Sequence, residues 1–384
     1  MTRPVRQEAR EVRREARAVH AVLPGGVDDP VSPSGGNAYD RHVCAGLAAR
    51  GRPVRRLTVP GAWPRPAPAD LAGLERELAA LPDGALVLAD GLVVCGVPEA
   101  VVPHARRLRL TVVAHMRLAD ETGLPDDVAA RLDAAERSVL RSAAAVVATS
   151  GWAARRLADH HGLPRERVHV VAPGTAPAPV AEGTDGRTRL LSVAAVTPRK
   201  GHDLLVDALA RVADRPWRCD FAGPLDRAPE HVERLRAAID RHGLAGRVRL
   251  RGPLAGAELA AAYASADLAV LGSRGETFGM AVAEALACGI PVLAPGLDAL
   301  PDTVGRAPDG TVPGILVPAA DADALAEGLA AWLDDAALRR RLRGAALARR
   351  GMLDSWEEAV RRMDHVLEAV AALPRPGARQ EAAG

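Results

Sequence analysis

The sequence has few aromatic residues and no excess of either charge. Its 384 residues include five Trp, two Tyr and two Phe, so the core must be built mainly from Ala, Leu and Val. So few rings do not make a surface on which nucleobases stack. Basic and acidic residues number 50 and 48 and leave a formal charge of only +2. These absences argue against a nucleic-acid-binding protein.

Cysteines are also few, and neither they nor the histidines are spaced like metal ligands. The four cysteines lie far apart, with no CxxC pattern: Cys44, Cys95, Cys219 and Cys288. We predict reduced, buried thiols in a cytoplasmic protein. His160, His161 and the other histidines have no partners at metal-ligand spacing, and no DxD-type pair stands where a divalent ion would bridge a diphosphate. We therefore expect no metal site.

Long apolar runs are missing as well. Residues 1–18 carry arginines but no apolar stretch, so we expect no secretory signal there. No uninterrupted apolar run elsewhere reaches the roughly 18 residues that a membrane helix needs. We expect a soluble protein; a peripheral contact with a membrane is compatible with the sequence but not indicated by it.

Short apolar runs alternate with longer helical patterns along the chain. In the first half the apolar runs lie at 19–23, 54–59, 85–89, 111–114 and 143–149. The rhythm restarts after a Pro- and Gly-rich stretch, with runs at 190–195, 218–223, 247–251, 268–271 and 291–294. Such alternation is typical of βαβ units on a parallel sheet, and the chain is too long for one core. The pattern predicts two α/β domains in tandem.

The same pattern suggests where the domains begin and end. We predict an N-terminal Rossmann-like domain over 1–172, an exposed linker over 173–188 and a C-terminal Rossmann-like domain over 189–350. Apolar residues at helical spacing predict a further helix over 351–373. The remaining residues, 374–384, are predicted to be disordered.

The segment SRGETFGMAVAEALACGIPVLA, residues 273–294, is the richest in chemistry. A strand meets a Gly-containing loop and then a helix, an arrangement that aims backbone N–H groups at an anion. Glu276 is predicted in the loop, and Glu284, after seven intervening residues, about two turns inside the helix. Sugar hydroxyls are suitable donors for such carboxylates. Alternatively, Glu276 caps the helix and Glu284 is a solvated position on its polar face.

A second segment, LLSVAAVTPRKGHDLLVDALA at 190–210, ends a strand in a basic turn before a helix. Arg199 and Lys200, the chain's only lysine, would neutralise a diphosphate as its charge grows during departure. The alternative for such a turn is a solvated surface loop. Gly223 and Pro253 end two further predicted strands, where small residues usually form turns.

Two features of the first half complete the set of candidate site residues. Gly36 lies in a Gly-Gly-Asn sequence at the start of a predicted helix, where backbone can approach a phosphate or sugar closely. His115 ends a predicted strand and would face a cleft, although a structural hydrogen bond is the alternative. The absence of GxGxxG argues against a nicotinamide or flavin enzyme.

Together these segments resemble the E-x7-E element and donor loop of the retaining glycosyltransferases of family 4. The resemblance spans nearly the whole chain but is specific only from about 190 to 333. It implies the α/β GT-B fold, in which two Rossmann-like domains face each other across a cleft and the C-terminal helix crosses back toward the first. It also implies transfer of a hexose-type sugar from a nucleoside diphosphate sugar, a co-substrate, with no other cofactor and no metal.

The resemblance assigns a role to each matching residue. Glu276 would contact the donor sugar and Glu284 the nucleotide ribose. The loop backbone of Thr277, Phe278 and Gly279 would contact the sugar and the phosphate. His115 would lie beside the donor sugar, and the remaining donor-site candidates are Gly36, Gly223 and Pro253.

One departure from the family and several alternatives stay open. The family commonly has Gly-Arg where this chain has Ala194 and Ala195, so Arg199 and Lys200 would make more of the phosphate contacts. A sugar-nucleotide epimerase shares the architecture, and a sugar-nucleotide-binding protein without catalysis is also compatible. A phosphorylase would need a pyridoxal-phosphate lysine, and Lys200 is the single lysine. The acceptor, a small molecule or a lipid-linked one, is not predicted.

Overall fold

A computed structural model describes residues 17–29 and 33–374. The predicted tail lies outside these residues from position 375 onward, as does most of the segment 1–18. The chain divides into two compact units. Among the described residues, the first comprises 17–28, 35–173 and 356–374, and the second comprises 29, 33–34 and 174–355. Among the described residues, no helix combines the length and the apolar character required to cross a bilayer.

The first unit is built on a parallel sheet with the strand order β2-β1-β3-β4-β5-β6. Its strands are β1 (Val19–Pro24), β2 (Val54–Val59), β3 (Leu86–Asp90), β4 (Arg109–Ala114), β5 (Ala145–Ala148) and β6 (Val168–Val170). Its helices are α1 (Gly35–Ala49), α2 (Pro68–Ala80), α3 (Gly91–Val94), α4 (Pro98–Ala105), α5 (Asp126–Ser142), α6 (Gly151–His161) and α14 (Trp356–Ala372). The strands β1 and β3 are buried along their whole length, which is why they read as continuous apolar runs.

The last helix, α14, packs in the first unit. Its apolar residues at helical spacing, Val360, Met363 and Val366, are buried as the pattern predicts. The contact with α1 is close because Gly46 has no side chain: a Cβ there would lie 2.3 Å from Val360 Cγ2. The helix begins at Trp356, later than residue 351, because residues 350–352 form a 3-10 turn instead.

The second unit has a parallel sheet with the order β12-β11-β10-β7-β8-β9. Its strands are β7 (Arg189–Val193), β8 (Arg218–Ala222), β9 (Val248–Gly252), β10 (Leu268–Val270), β11 (Val292–Pro295) and β12 (Gly314–Val317). Its helices are α7 (His202–Arg211), α8 (Pro229–Arg241), α9 (Gly256–Ala264), α10 (Met280–Ala287), α11 (Leu300–Val304), α12 (Ala322–Asp334) and α13 (Ala336–Arg349). The strand order reverses between β7 and β10, and in the first sheet between β1 and β3. In open α/β sheets, ligands bind at the carboxyl ends of the strands flanking such a reversal.

The segment expected to be an exposed linker is only partly exposed, because it is attached to the second unit. Ala181 is buried, and its N–H donates to the carbonyl of Cys288 at 2.8 Å. Thr184 donates through its backbone N and its hydroxyl to the Asp267 carboxylate, at 2.9 and 2.7 Å. Asp267 is itself buried, so it requires these donors.

Candidate functional site

Two loops meet at the point where the strand order of the second sheet reverses. The loop after β7 contains a 3-10 turn, Pro198–Lys200, and the loop after β10 leads to Glu276. They touch at Gly201, whose φ is 61° and where a Cβ would lie 1.9 Å from the carbonyl oxygen of Gly272. Arg199 Nη1 donates to the carbonyl of Gly275 at 3.0 Å. The topology thus joins the two segments that the sequence singled out about 75 residues apart.

Glu276 is a buried carboxylate held by a cation. Lys200 Nζ lies 2.6 Å from Glu276 Oε1, and the Ser273 hydroxyl donates to the same oxygen at 2.8 Å. Burial alone would raise the pKa of Glu276, but Lys200 and Arg199 outweigh it, and the pKa lies below its ordinary value. The helix-cap alternative is wrong, because Gly279 precedes α10 and, within the described chain, no side chain caps that helix.

Glu284 is partly buried, and among the described residues its bound partner is a hydroxyl and not a cation. Its Oε2 accepts a hydrogen bond from the Tyr263 hydroxyl at 2.8 Å. Burial raises its pKa, and the bond from Tyr263 only partly opposes that shift. Glu284 is therefore not a fully solvated position on α10. The predicted depth is wrong too: α10 begins at Met280, so Glu284 lies a little over one turn inside it.

The backbone between these glutamates is fixed by its neighbours. The Thr303 hydroxyl donates to the carbonyl of Phe278, which follows Thr277 in the loop. Gly279 has φ 89°, and a Cβ there would lie 2.6 Å from Leu300 Cδ2. Because α10 has no side-chain cap in the described structure, its first N–H groups suit an anion.

Two candidates lie at the carboxyl ends of β8 and β9. Gly223 follows β8, and a Cβ there would lie 2.0 Å from the carbonyl oxygen of Ala194. The close approach of two backbones therefore explains this glycine without a ligand. Pro253 directly follows β9. A donor contact of either residue stays a prediction.

The first unit brings His115 together with two buried carboxylates. His115 follows β4, and its Nε2 lies 3.2 Å from Asp40 Oδ1 and 4.0 Å from Asp90 Oδ1. Asp40 belongs to α1 and Asp90 ends β3, so the cluster lies where the order of the first sheet reverses. Gly36 is adjacent, since a Cβ there would lie 3.2 Å from His115 Cδ2. The sequence reasoning missed both aspartates, although an Asp that ends an apolar run was a signal for Asp90.

The cluster shifts the titration of its members. Burial alone would lower the pKa of His115, but Asp40 and then Asp90 raise it to about 9. Burial, followed by the charge of Asp40, raises the pKa of Asp90 to about 7. Ligand atoms of the three side chains lie within 4.8 Å of one another, a spacing that a metal ion could bridge.

A second cluster corrects the expectation that His160 and His161 lack partners at metal-ligand spacing. Their ligand atoms lie within 4.8 Å of one another and of one from Asp133. The sequence could not show this, because Asp133 comes from α5 and the histidines from α6. Arg117 Nη2 lies 3.2 Å from Asp133 Oδ1 and 3.1 Å from His160 Nε2. A guanidinium thus already compensates the Asp133 charge.

The prediction that the cysteines are buried thiols agrees with the structure. All four are free and buried.

Two family models match the chain, each over a little under half of its length. The model described as glycosyl transferases group 1 matches residues 180–349, and the one described as glycosyl transferase 4-like domain matches residues 1–174. Together they cover nearly the whole chain and correspond to its two halves.

Individual proteins are similar to the chain in sequence or in fold. A D-inositol 3-phosphate glycosyltransferase of Kineococcus radiotolerans is 34% identical over 244 residues, which are 58% of this chain and 56% of that protein. The chain matches only about half the length of such curated relatives. A sucrose-phosphate synthase of Thermosynechococcus elongatus has a TM-score of 0.75 at 22% identity, over 92% of this chain and 99% of the other. HepE of Anabaena in complex with UDP-glucose has a TM-score of 0.67 at 19% identity, over 92% and 100%. These structures confirm the predicted α/β GT-B fold with two Rossmann-like domains.

Proposed function

We propose that the chain, whose two halves match two glycosyltransferase family models, transfers a hexose-type sugar from a nucleoside diphosphate sugar to an acceptor with retention of anomeric configuration, as the family 4 enzymes that it resembles do. The observation that carries the proposal is the pair of Lys200 and Glu276 at the reversal point of the second sheet, 2.6 Å apart and beside an uncapped helix start in the described structure. The domain over 189–350 would bind the donor, and the domain over 1–172 would serve the acceptor.

The roles of the donor-site residues follow from their charges. Lys200 has three N–H donors, so it can hold Glu276 and still donate to a phosphate oxygen. Arg199, whose Nη1 already holds the neighbouring loop, adds a second positive charge. Glu276, kept ionised by these cations, is suited to accept hydrogen bonds from sugar hydroxyls. Glu284 is suited to accept them from the ribose.

The donor class draws support from the similar proteins. The structures of HepE contain UDP or UDP-glucose, and the curated relatives are named for transfer to D-inositol 3-phosphate. We propose a nucleoside diphosphate hexose for this chain and leave the base and the acceptor, small or lipid-linked, to experiment. The free, buried cysteines support the cytoplasm as the compartment.

For the chemical step we propose front-side attack. The bond between the sugar C1 and the diphosphate oxygen breaks, and the acceptor oxygen bonds to C1 on the same face. The acceptor proton passes to the departing diphosphate. Lys200 and Arg199 would stabilise the charge that grows on the diphosphate, the role that a divalent ion plays elsewhere. We also propose that His115 and Gly36 lie beside the donor sugar, as the resemblance implies.

The test is release of nucleotide from a panel of nucleoside diphosphate sugars by the wild type and by Glu276→Gln. We expect one donor to turn over, and the variant to lose roughly 100-fold or more of that rate, because an electrostatic contact at the reacting sugar is removed. Glu230→Gln, whose side chain is 95% exposed in the same domain, is the matched control and should behave as wild type.

The products separate the alternatives. A retained anomer, read by proton NMR, supports the proposal, whereas an inverted one would contradict retention. A released sugar with changed ring stereochemistry would indicate an epimerase. Tight donor binding with neither transfer nor hydrolysis would indicate a binding protein without catalysis.

A further inference from the structure

Asp298 has a backbone conformation that few residues other than glycine adopt. Among the described residues, two that are not glycine have positive φ: Asp298 at 52° and Ala320 at 55°. Asp298 lies between β11 and α11, at the carboxyl end of the second sheet. An L-residue in this region is strained, although the short polar side chain of Asp tolerates it better than most. Such strain persists only where surrounding contacts impose it.

The contacts that accompany this strain are with Glu276. Asp298 Oδ2 accepts a hydrogen bond from the backbone N–H of Glu276 at 3.0 Å. The backbone N–H of Ala299, the next residue, donates to the carbonyl of Glu276 at 3.2 Å. The peptide groups on both sides of Glu276 are therefore bound by two consecutive residues of one loop.

The side chain of the same glutamate is held separately. Lys200 and Ser273 bind its Oε1, at 2.6 and 2.8 Å. Glu276 thus has its main chain fixed from one loop and its carboxylate from two others. Because the main chain and the carboxylate of Glu276 are both fixed, the orientation of the carboxylate depends on the contact with Asp298 as well as on Lys200.

We propose that Asp298 is a positioning residue that sets the direction of the Glu276 carboxylate in the donor site. This inference rests on the proposed function and goes beyond it, because it adds a residue that acts through Glu276. Asp298 acts through a charge-assisted hydrogen bond to a backbone N–H, which is stronger than a neutral one. Asparagine in its place retains an acceptor oxygen and tolerates the same backbone, whereas glycine removes the acceptor and relieves the strain.

The experiment compares full-length wild type, Asp298→Gly and Asp298→Asn in sugar-dependent turnover, nucleoside diphosphate affinity and thermal unfolding. For Asp298→Gly we expect turnover to fall roughly tenfold or more, the size expected for loss of a hydrogen bond to a charged group. Affinity for the nucleoside diphosphate alone should not change, because that ligand lacks the sugar. Asp298→Asn should recover most of the turnover.

Ala320→Gly is the matched control, since it relieves the same kind of strain at an exposed position. It should raise or preserve the melting temperature and leave turnover unchanged. If Asp298→Gly does not fold, Asp298→Ala against Asp298→Asn tests loss of the acceptor alone, because both variants keep a side chain at positive φ.

Each outcome supports or overturns the positioning role of Asp298. Wild-type turnover in Asp298→Gly, or equal losses in the glycine and asparagine variants, would overturn the inference and leave the proposed function intact. A parallel loss of nucleoside diphosphate affinity would show a general loop defect and also overturn it. If the wild type turns over no donor, the proposed function fails, and the inference fails with it.

Discussion

The reversal points of the two sheets carry buried charge clusters of opposite composition. In the second unit the carboxylate of Glu276 lies beside the cations Lys200 and Arg199, and its pKa is lowered. In the first unit a single imidazole, His115, faces the carboxylates of Asp40 and Asp90, and its pKa is raised to about 9. Glu276 and His115 each have an oppositely charged partner, Lys200 and Asp40, as burial of a charge requires. The groups beside the central charge differ: cations, which suit a diphosphate, lie beside Glu276, and carboxylates lie beside His115.

The largest expected effect comes from breaking the pair in the second unit. Lys200→Met leaves Glu276 buried without its nearest cation, which should cost about 3–5 kcal/mol in the free energy of unfolding. Chemical denaturation measures this. The double variant Lys200→Met, Glu276→Gln should regain most of the stability without regaining activity. Equal losses in the single and double variants would show that the pair is not what stabilises the loop.

A smaller effect should follow when the partner of Glu284 is removed. Tyr263→Phe deletes the hydroxyl that donates to Glu284, so we expect nucleoside diphosphate affinity to fall by up to about tenfold, as for one lost hydrogen bond. The chain's other tyrosine provides the control. Tyr39→Phe deletes a hydroxyl that donates to the carbonyl of Val171, so it should lower stability and leave nucleotide affinity unchanged. Calorimetric titration distinguishes the two, and a loss of affinity in Tyr39→Phe alone would contradict the assignment.

A third test concerns pH and the first cluster. The pKa of His115 is raised to about 9 from an ordinary value of about 6.5, so the folded state keeps a proton that the unfolded state releases. The stability from this group is fully present below about pH 6.5 and is lost as the pH rises toward 9. The melting-temperature difference between wild type and His115→Gln should therefore shrink across that window. A difference that stays constant or grows would contradict the raised pKa.

The sequence predicted most of the strands, because they are bounded by clear breaks in the apolar pattern, but it missed the edge strands β6 and β12. The runs at 54–59 and 218–223 correspond to Val54–Val59 and Arg218–Ala222. It also placed Glu276 and Lys200, since local strand–loop–helix patterns identify residues at strand ends. Their contact was not visible, because it depends on strand order and on glycines that let two loops touch.

Other parts of the site could not be predicted, because their partners come from distant elements. Asp40 reaches His115 from the middle of α1, where an acid usually faces solvent. Asp298 lies in a loop with no periodic signal, and only its φ and its bond to Glu276 reveal it. The start of α10 was misplaced because Gly279 ends the preceding loop through contact with Leu300, a residue far along the chain.

The most direct test of the donor site is calorimetric titration of nucleoside diphosphates and their hexose derivatives into wild type and Glu284→Ala. We predict that one nucleotide binds the wild type and that the variant weakens this binding by roughly tenfold or more, because a carboxylate that accepts from the ribose is lost. If no nucleoside diphosphate binds, or if Glu284→Ala binds it as tightly as the wild type, the assignment of the second unit as the donor domain is contradicted.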